Sequence, residues 1–236
     1  QPAAGSGGMG GSVEVARISQ VGALEIIAAG GKAAADRQGA TIEADALNAL
    51  QPSRLVINAR VRSVAPSTID VMGVGQDVVV RSGAVLRAPE VLIGAVDGGR
   101  GIVIEAGAGI DTIGLGAAGL PSSLGYVYQV GGGLLAVSND HPEVLAPATG
   151  TTGTRVDIDI GACDPGVTCA GQARLVSEGS INVASSGQLQ LREGAVYGTR
   201  ELALGMGNIN LGTAEAIARA AGASALPPGL MLIPPP

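Results

Sequence analysis

The sequence predicts an all-β fold, a parallel β-helix, and three observations predict it. Residues 78–88 and 102–112 match in their apolar and polar positions at an offset of 24 residues, close to one turn of such a helix. Residues 181–191 repeat the same order of strand, small-residue bend and strand. The chain has no Phe, no Trp and three Tyr, so aliphatic side chains must fill its core. A narrow interior lined by aliphatic rows fits this composition.

The aligned repeats keep polar positions but change the sign of their charges. Arg81 is aligned with Glu105, and Arg87 with Asp111. Val78 and Leu86 are aligned with aliphatic residues of the second copy, so we expect them to stack on Ile102 and Ile110 in one interior. Glycine, at 39 of 236 residues, is well above its average of about 7% and predicts repeated tight bends.

The first element is a segment rich in Gly, Ser and Ala at residues 1–11, predicted to be flexible and to precede a single β-helix domain over residues 12–236. Alternating apolar and polar residues then predict strands at residues 12–18, 54–64, 68–74 and 154–161. Dense strand patterns also fill residues 76–116 and 174–211. Residues 23–29 and 41–50 are too short for periodicity to distinguish strand from helix.

A short helix near the C-terminus interrupts this pattern. Residues 213–225 are rich in Ala, Thr213 is placed as an N-cap, Glu215 lies in the first turn, and two prolines follow. Residues 115–125 and 138–153 are predicted loop excursions, and excursions from a stacked coil can carry binding. We expect the chain to be a piece of a longer protein, because it begins without Met or an apolar leader.

Charge and hydropathy exclude two classes of partner. The net charge is −6, a single Lys is present, and no basic stripe with interleaved aromatics occurs, so no nucleic-acid partner is predicted. No apolar run reaches the ~18 residues of a membrane helix, so no membrane span is predicted.

Two cysteines enclose a turn. Cys163 and Cys169 flank an Asp-Pro-Gly sequence that could bring their sulfurs together in a disulfide, which would indicate an oxidising compartment. The alternative is a pair of unpaired thiols. A zinc site is not predicted, since no other thiol and no nearby His could complete it.

The acidic pair Asp157 and Asp159 lies two residues apart on a predicted strand, so the two carboxylates share a face. They could bind calcium or form the acid pair of a polysaccharide-cleaving enzyme, with Asp111 or Arg174 brought alongside by stacking. The interpretation we favour is the solvated side of an alternating strand. We therefore predict no catalytic residue and no cofactor.

The single histidine lies in a polar segment. Asn139, Asp140, His141 and Glu143 could ligate a metal, but a polar turn before a proline explains them as well, and no metal is predicted. Two of the three tyrosines, Tyr126 and Tyr128, alternate on one face. Exposed, they could contact a sugar ligand by stacking; buried, they would extend the core.

The order of several landmarks resembles large secreted proteins of the filamentous haemagglutinin family, which are exported by two-partner secretion. These landmarks are EADALNAL followed by a strand, then APEVLIGA, GGGLLAVSN, NINLGTAEA and LPPGLML. The resemblance implies a right-handed parallel β-helix on the bacterial cell surface, with an outer-membrane secretion partner for the full-length protein. The Asn-Pro-Asn motifs of the family's secretion domain are missing from this sequence, so the chain would be an interior or C-terminal part of the shaft.

The function expected from these observations is that of a non-enzymatic, extracellular adhesin shaft. It would mediate bacterial attachment, aggregation or binding to biofilm matrix, with exopolysaccharide or cell-surface glycans as partners. Two alternatives remain open, a β-helix polysaccharide lyase or hydrolase and a carbohydrate-binding module.

Overall fold

The structure, a computed structural model, describes residues 11–16, 22–31, 39–65, 67–96, 98–118, 127–145, 155–164, 168–192, 194–205 and 231–232. These residues form mostly β-strands, with one five-residue helix, α1 (Ala44–Asn48). The helix predicted at residues 213–225 and the segment 1–10 lie outside the described residues.

Strands are numbered in chain order. Those that precede residue 112 are β1 (Ser12–Val15), β2 (Leu24–Ile27), β3 (Ala40–Glu43), β4 (Arg54–Ile57), β5 (Ala59–Ala65), β6 (Thr68–Gly73), β7 (Asp77–Val80), β8 (Val85–Leu86), β9 (Glu90–Ala95), β10 (Gly101–Glu105) and β11 (Gly109–Asp111). Those that follow are β12 (Val127–Gly131), β13 (Gly133–Ser138), β14 (Glu143–Leu145), β15 (Ile158–Ala162), β16 (Arg174–Val176), β17 (Ser180–Ala184), β18 (Leu189–Leu191), β19 (Val196–Gly198), β20 (Glu201–Gly205) and β21 (Met231–Leu232).

The strands form four sheets. Sheet 1 has the order β1-β4-β9-β13-β17-β20, sheet 2 the order β3-β2-β7-β10-β15-β18-β21, sheet 3 the order β8-β11-β16-β19 and sheet 4 the order β5-β6-β12-β14. All the pairings within sheets 2 and 3 are parallel. The chain passes from sheet 2 to sheet 3 to sheet 1 and back to sheet 2, as in β7-β8-β9-β10 and β15-β16-β17-β18. Each circuit therefore lays one layer of strands on the layer before it.

The 24-residue repeat sets the pairing between layers. Val78 pairs with Ile102 in sheet 2, and Leu86 pairs with Ile110 in sheet 3, as the alignment of the two segments predicts. All four side chains are fully buried. Because equivalent residues are stacked directly, each row of the interior stays aliphatic from one layer to the next.

The third repeat copy is out of phase with the first two. Its first strand, β17, lies in sheet 1 and its second, β18, in sheet 2, whereas β7 and β10 both begin in sheet 2. Leu189, not Ile181, continues the row, since Leu189 pairs with Ile158 and Ile158 with Ile102. Small residues form the bends between sheets 2 and 3 and also those between sheets 1 and 2. The strand-bend-strand pattern therefore did not show which of these bends residues 181–191 contain.

The main core lies between sheets 1, 2 and 3. Sheets 1 and 2 contribute aliphatic rows that include Leu55, Val91 and Val183 on one side and Ile26, Ile104 and Ile160 on the other. Small side chains fill the narrow corner between sheets 2 and 3, where Ala84, Ala108 and Ala173 are buried. Burial of each Val, Leu or Ile contributes about 1.5–3 kcal/mol, so these rows account for much of the stability.

A second core lies on the other face of sheet 1, where sheet 4 covers it. Val56, Leu92 and Leu134 of sheet 1 pack with Val71 and Tyr128 of sheet 4, and all five are buried. Strand β13 runs antiparallel to both of its neighbours, β9 and β17, and its two ends connect to β12 and β14 of sheet 4. The central strands β9 and β13 of sheet 1 are thus buried on both faces, which explains their continuous apolar runs.

Several elements of the structure have boundaries that differ from those predicted from the sequence. The strand predicted at residues 54–64 is divided at Asn58, which has a left-handed φ of 55° and turns the chain from sheet 1 into sheet 4. Its Nδ2 group donates hydrogen bonds to the carbonyls of Gly75 (2.8 Å) and Gly94 (2.9 Å), which fixes the corner. The ambiguous residues 41–50 contain the end of β3 and the helix α1, and the loop predicted at 138–153 contains β14.

Placing a charge in the main core should unfold the stack. Ile104→Asp puts a carboxylate among fully buried aliphatic side chains, so we expect a loss of more than about 4 kcal/mol in the free energy of unfolding. The matched control is Leu202→Asp, because Leu202 is 42% exposed and its replacement should change stability by about 0.5 kcal/mol or less. Urea unfolding followed by circular dichroism measures both, and equal effects would contradict the assignment of the interior.

Candidate functional site

A cleft of about 500 Å³ lies over the outer face of sheet 3. Leu86 and Ile110 point into the core, so their neighbours on β8 and β11 point outward and line the cleft. Its polar lining consists of Asp45, Asn48, Arg87, Asp111, Gln172 and Arg174. These residues come from α1, three strand layers and the turn before β16, so only the folded chain brings them together.

Gly109 forms the floor of the cleft. It pairs with Val85 of β8 on one side and with Arg174 of β16 on the other. A Cβ atom at Gly109 would lie 3.2 Å from the carbonyl oxygen of Arg174 and 3.6 Å from the methyl groups of Val85. Because Gly109 has no side chain, the floor is low between the side chains of Val85 and Arg174, although a Cβ atom there would be close to the carbonyl oxygen of Arg174.

Two guanidinium groups flank one carboxylate in the cleft. Oδ2 of Asp111 lies 4.0 Å from a terminal nitrogen of Arg87 and 4.0 Å from a terminal nitrogen of Arg174. These distances allow attraction but exceed the length of a hydrogen bond. The two arginine side chains are 51% and 59% exposed, whereas that of Asp111 is 22% exposed. Oδ1 of Asp111 accepts a hydrogen bond from the backbone N–H of Ile113 (3.0 Å), which fixes the carboxylate.

The helix α1 forms one wall of the cleft and covers the edge of sheet 3. Nδ2 of Asn48 donates to the carbonyl of Val85 (2.8 Å), and its Oδ1 accepts the backbone N–H of Arg87 (2.8 Å). The side-chain amide therefore takes the place of a further strand beside β8. An edge protected in this way does not present unpaired backbone groups to another chain.

A cluster of five ionised side chains lies on the outer face of sheet 2. Nη1 of Arg81 donates to Glu105 (2.6 Å) and to Asp164 (2.5 Å), and its Nε donates to Glu25 (3.2 Å). Arg100 donates to the other oxygen of Asp164 (2.5 Å). Burial opposes the charge of Arg81, but the hydrogen bonds to Asp164, Glu25 and Glu105 outweigh it and raise its pKa. The cluster joins three layers of sheet 2 and is therefore structural.

The disulfide loop supplies one carboxylate of this cluster. The structure places a disulfide between Cys163 and Cys169, whose Cα atoms are 5.9 Å apart, and Asp164 lies inside the loop that it closes. The hydrogen bond from Arg100, together with that from Arg81, lowers the pKa of Asp164 although burial opposes this change. The loop is thus held on sheet 2 by ionic contacts at Asp164.

A buried ionic triad joins sheets 1 and 4. Glu90 has no exposed side-chain surface, and its two oxygens accept hydrogen bonds from Nε of Arg54 (2.5 Å) and from the hydroxyl of Tyr128 (2.8 Å). Burial raises the pKa of Tyr128, and the negative charge of Glu90 raises it further. Each polar group in the triad has a partner, which is what makes a charge tolerable at this depth.

Of the two tyrosines for which the sequence left ligand contact and core packing as alternatives, Tyr128 is fully buried in the second core. It therefore extends the core, the second of the two alternatives, and its hydroxyl serves Glu90. Its alternation with apolar residues is that of a strand buried on one face. Tyr126 lies outside the described residues.

Asp157 and Asp159 do not lie in the cleft. Oδ1 of Asp157 accepts the backbone N–H of Gln188 (2.6 Å), and both oxygens of Asp159 accept hydrogen bonds from Arg192 (2.8 and 2.6 Å). Both contacts join neighbouring layers of sheet 2. Stacking does not place Asp111 or Arg174 beside this acidic pair. Instead, Asp111 and Arg174 lie next to each other on sheet 3.

The polar segment around His141 is a turn. Nδ2 of Asn139 donates to the carbonyls of Thr112 (2.6 Å) and Gly116 (2.7 Å), so this side chain fixes the turn that follows β11. Nδ1 of His141 lies 3.4 Å from a carboxylate oxygen of Glu201 at a half-exposed position. Across the described ranges, no three His, Cys, Asp or Glu side chains are grouped so that they could hold a metal ion.

Comparison of the chain with protein-family models, with curated proteins and with solved structures finds no match. In the parts of the chain that the structure describes, no helix is long and apolar enough to span a membrane. The sequence did not select Arg87, Gly109 and Gln172 as parts of one site. A signal was present, because the aligned repeats place Arg87 opposite Asp111.

Tyr128, which is buried, and Tyr197, which is partly buried, should titrate only when the protein unfolds. Burial raises the pKa of Tyr128 and of Tyr197 above the unfolded value of about 10. Their contribution to stability is therefore complete below pH ~10 and is lost as the pH rises above it. In a Tyr126→Phe protein, we expect tyrosinate absorbance to rise well above pH ~10, together with loss of the β circular dichroism. Denaturant-unfolded protein is the control, and a rise near pH 10 in folded protein would contradict burial.

Asp164 should stabilise the fold in a pH-dependent way. Because its folded pKa is lowered, its contribution is present above the unfolded value of about 3.9 and is lost as the pH falls through the folded pKa. We expect Asp164→Asn to lower the free energy of unfolding by about 1.5–3 kcal/mol at neutral pH and by less in acid. Asp159→Asn, which breaks the more exposed pair with Arg192, should cost about 0–1 kcal/mol.

The loss of stability that follows reduction of the disulfide should depend on the carboxylate of Asp164. Asp164 binds the loop to sheet 2 through its ion pairs with Arg81 and Arg100. Reducing the disulfide should therefore destabilise the wild-type protein more than the Asp164→Asn variant. Chemical unfolding of oxidised and reduced forms of both proteins measures the difference. Equal losses on reduction would show that the ionic contacts and the loop act independently.

Proposed function

We propose that the protein is a non-enzymatic adhesin shaft of the bacterial cell surface, which mediates attachment, aggregation or binding to biofilm matrix. In this proposal, sheets 1, 2 and 3 are the sides of a right-handed parallel β-helix, which the antiparallel strand β13 interrupts in sheet 1. The observation that carries it is the parallel, in-register stacking of successive layers in sheets 2 and 3 over one aliphatic core. A stack of this kind grows along one direction and provides reach without a large globular body.

Three further features support an extracellular role. The Cys163–Cys169 disulfide suits an oxidising compartment. Ion pairs between layers, such as those of Arg81 and Arg192, brace the outer surface of sheet 2. The resemblance to the filamentous haemagglutinin family fits the same role and supplies the expected outer-membrane secretion partner.

The cleft over sheet 3 favours a second candidate, a polysaccharide-active enzyme or a carbohydrate-binding module. An acidic residue between two arginines in an open groove can form hydrogen bonds with the hydroxyl groups of a sugar chain. Hydrolysis by a pair of carboxylates needs a second acid at a defined separation, and a lyase needs a base at the sugar ring. Product formation is therefore the measurement that separates the enzyme from the shaft and the binding module.

The proposal is tested by attachment of the whole chain to cells. We expect fluorescently labelled protein to be retained on bacterial cells or on isolated matrix in a saturable way, with unlabelled protein competing. The Ile104→Asp variant, which we expect to unfold, is the matched control, since it differs from the wild type at one residue and lacks the stack. Retention no greater than that of the control would contradict the adhesin proposal.

An assay for polysaccharide cleavage on the same protein distinguishes an enzyme from a shaft. Incubated with neutral and acidic polysaccharides, a shaft releases no new reducing ends and no unsaturated products. Turnover that disappears in Asp111→Asn, with the unfolding temperature unchanged, would replace the adhesin proposal with a polysaccharide-active enzyme.

A further inference from the structure

We propose that the cleft over sheet 3 binds a neutral saccharide chain, whose hydroxyl groups are recognised by Arg87, Asp111 and Arg174. This inference deepens the proposed function and rests on it, because it names the site and the chemical class of the ligand. It comes from the geometry of the three side chains, the charge of the lining and the shape of the floor.

The geometry fits hydroxyl groups. Oδ2 of Asp111 stands 4.0 Å from a nitrogen of each arginine, too far for direct hydrogen bonds. A hydroxyl oxygen placed between them, about 2.8 Å from each group, can donate to the carboxylate and accept from the guanidinium at the same time. The arrangement offers two such positions, one on either side of Asp111. A sugar carries neighbouring hydroxyl groups that can occupy both.

The charge of the lining favours a neutral ligand. Two arginines, Arg87 and Arg174, face two aspartates, Asp45 and Asp111, so the charges of the cleft balance. The net charge of the whole chain is −6, which disfavours the approach of polyanions. A small cation is disfavoured by the half-exposed guanidinium groups beside Asp111. A polyhydroxylated neutral molecule satisfies both kinds of side chain without a charge of its own.

The shape of the cleft fits an extended chain. Arg87 directly follows β8, Asp111 ends β11 and Arg174 begins β16, and these three successive layers are spaced about 4.8 Å apart. A pyranose unit in a polysaccharide has a similar length, so successive sugars can meet successive layers. Gly109 leaves the floor open between Val85 and Arg174, and the volume of about 500 Å³ lies in the range of small-ligand sites.

The test is isothermal titration calorimetry on the whole chain with soluble mannan, galactan and glucan as neutral probes and polygalacturonate as the acidic one. We expect at least one neutral polysaccharide to bind. Asp111→Ala and Arg174→Ala should each weaken that binding about tenfold or more, because each removes a hydrogen-bonding partner of the hydroxyl groups. Arg192→Ala is the matched control, since Arg192 is 49% exposed on sheet 2, and it should leave binding unchanged.

A second variant tests the shape without removing charge. Gly109→Leu fills the floor, so we expect binding to be lost; because its Cβ would lie 3.2 Å from the carbonyl oxygen of Arg174, we also expect a lower unfolding temperature, and binding is measured well below it. Circular dichroism and thermal unfolding of every variant show whether the fold is kept.

Three outcomes would overturn the proposal. They are binding of a neutral polysaccharide that the cleft variants leave intact, binding of none of the neutral probes, and binding of polygalacturonate alone through Arg174. Cell attachment separates the two proposals. Attachment that persists in Asp111→Ala and Arg174→Ala supports the shaft and rejects the cleft, whereas absence of attachment by the wild type rejects the shaft itself.

Discussion

The register between successive layers is the constraint on which the rest of the structure depends. Side chains alternate between the two faces of a strand, so a slip of one residue would turn an aliphatic row outward and bury its charged neighbours. The row that contains Val78, Ile102, Ile158 and Leu189 holds this register through four layers of sheet 2. The contacts on the outer surface follow from it, because Arg81 can meet Glu105 only while Val80 is paired with Ile104.

Buried charge fixes the position of sheet 4 on sheet 1. Removing Arg54 would leave the buried carboxylate of Glu90 without this counter-charge, and removing Tyr128 would take a hydrogen bond from its other oxygen, so Arg54 and Tyr128 must occupy defined positions relative to β9. Aliphatic contacts in the second core tolerate sliding better than these hydrogen bonds do. The triad therefore adds a directional restraint to packing that is otherwise non-directional.

The sequence predicted the β-rich fold, the stacking of Val78 on Ile102 and the buried rows, because these depend on periodicity within one segment and its repeat. It did not predict the turn at Asn58, the role of Tyr128 or the reversal of β13, which depend on contacts between distant segments. The cleft was only partly predictable. Alignment of the repeats placed Arg87 opposite Asp111. The floor of the cleft depends on Gly109 and its wall on the helix α1, and no repeat relates Gly109 to α1.

The reversal of β13 has a mechanical consequence. A simple stack pulled at its C-terminal end loses one layer at a time, since each layer contacts only its neighbours. Here β13 sits between β9 and β17, and β12, which precedes it in the chain, is hydrogen-bonded to β6 of the β5–β6 hairpin. Unravelling from that end removes β17 and then β14 before it reaches β13, after which β13 must separate from β9 of sheet 1 and β12 from β6 of sheet 4. This layer is therefore attached to the preceding one through two sheets in succession, whereas the layers on its C-terminal side have no contact with the β5–β6 hairpin in the described pairings.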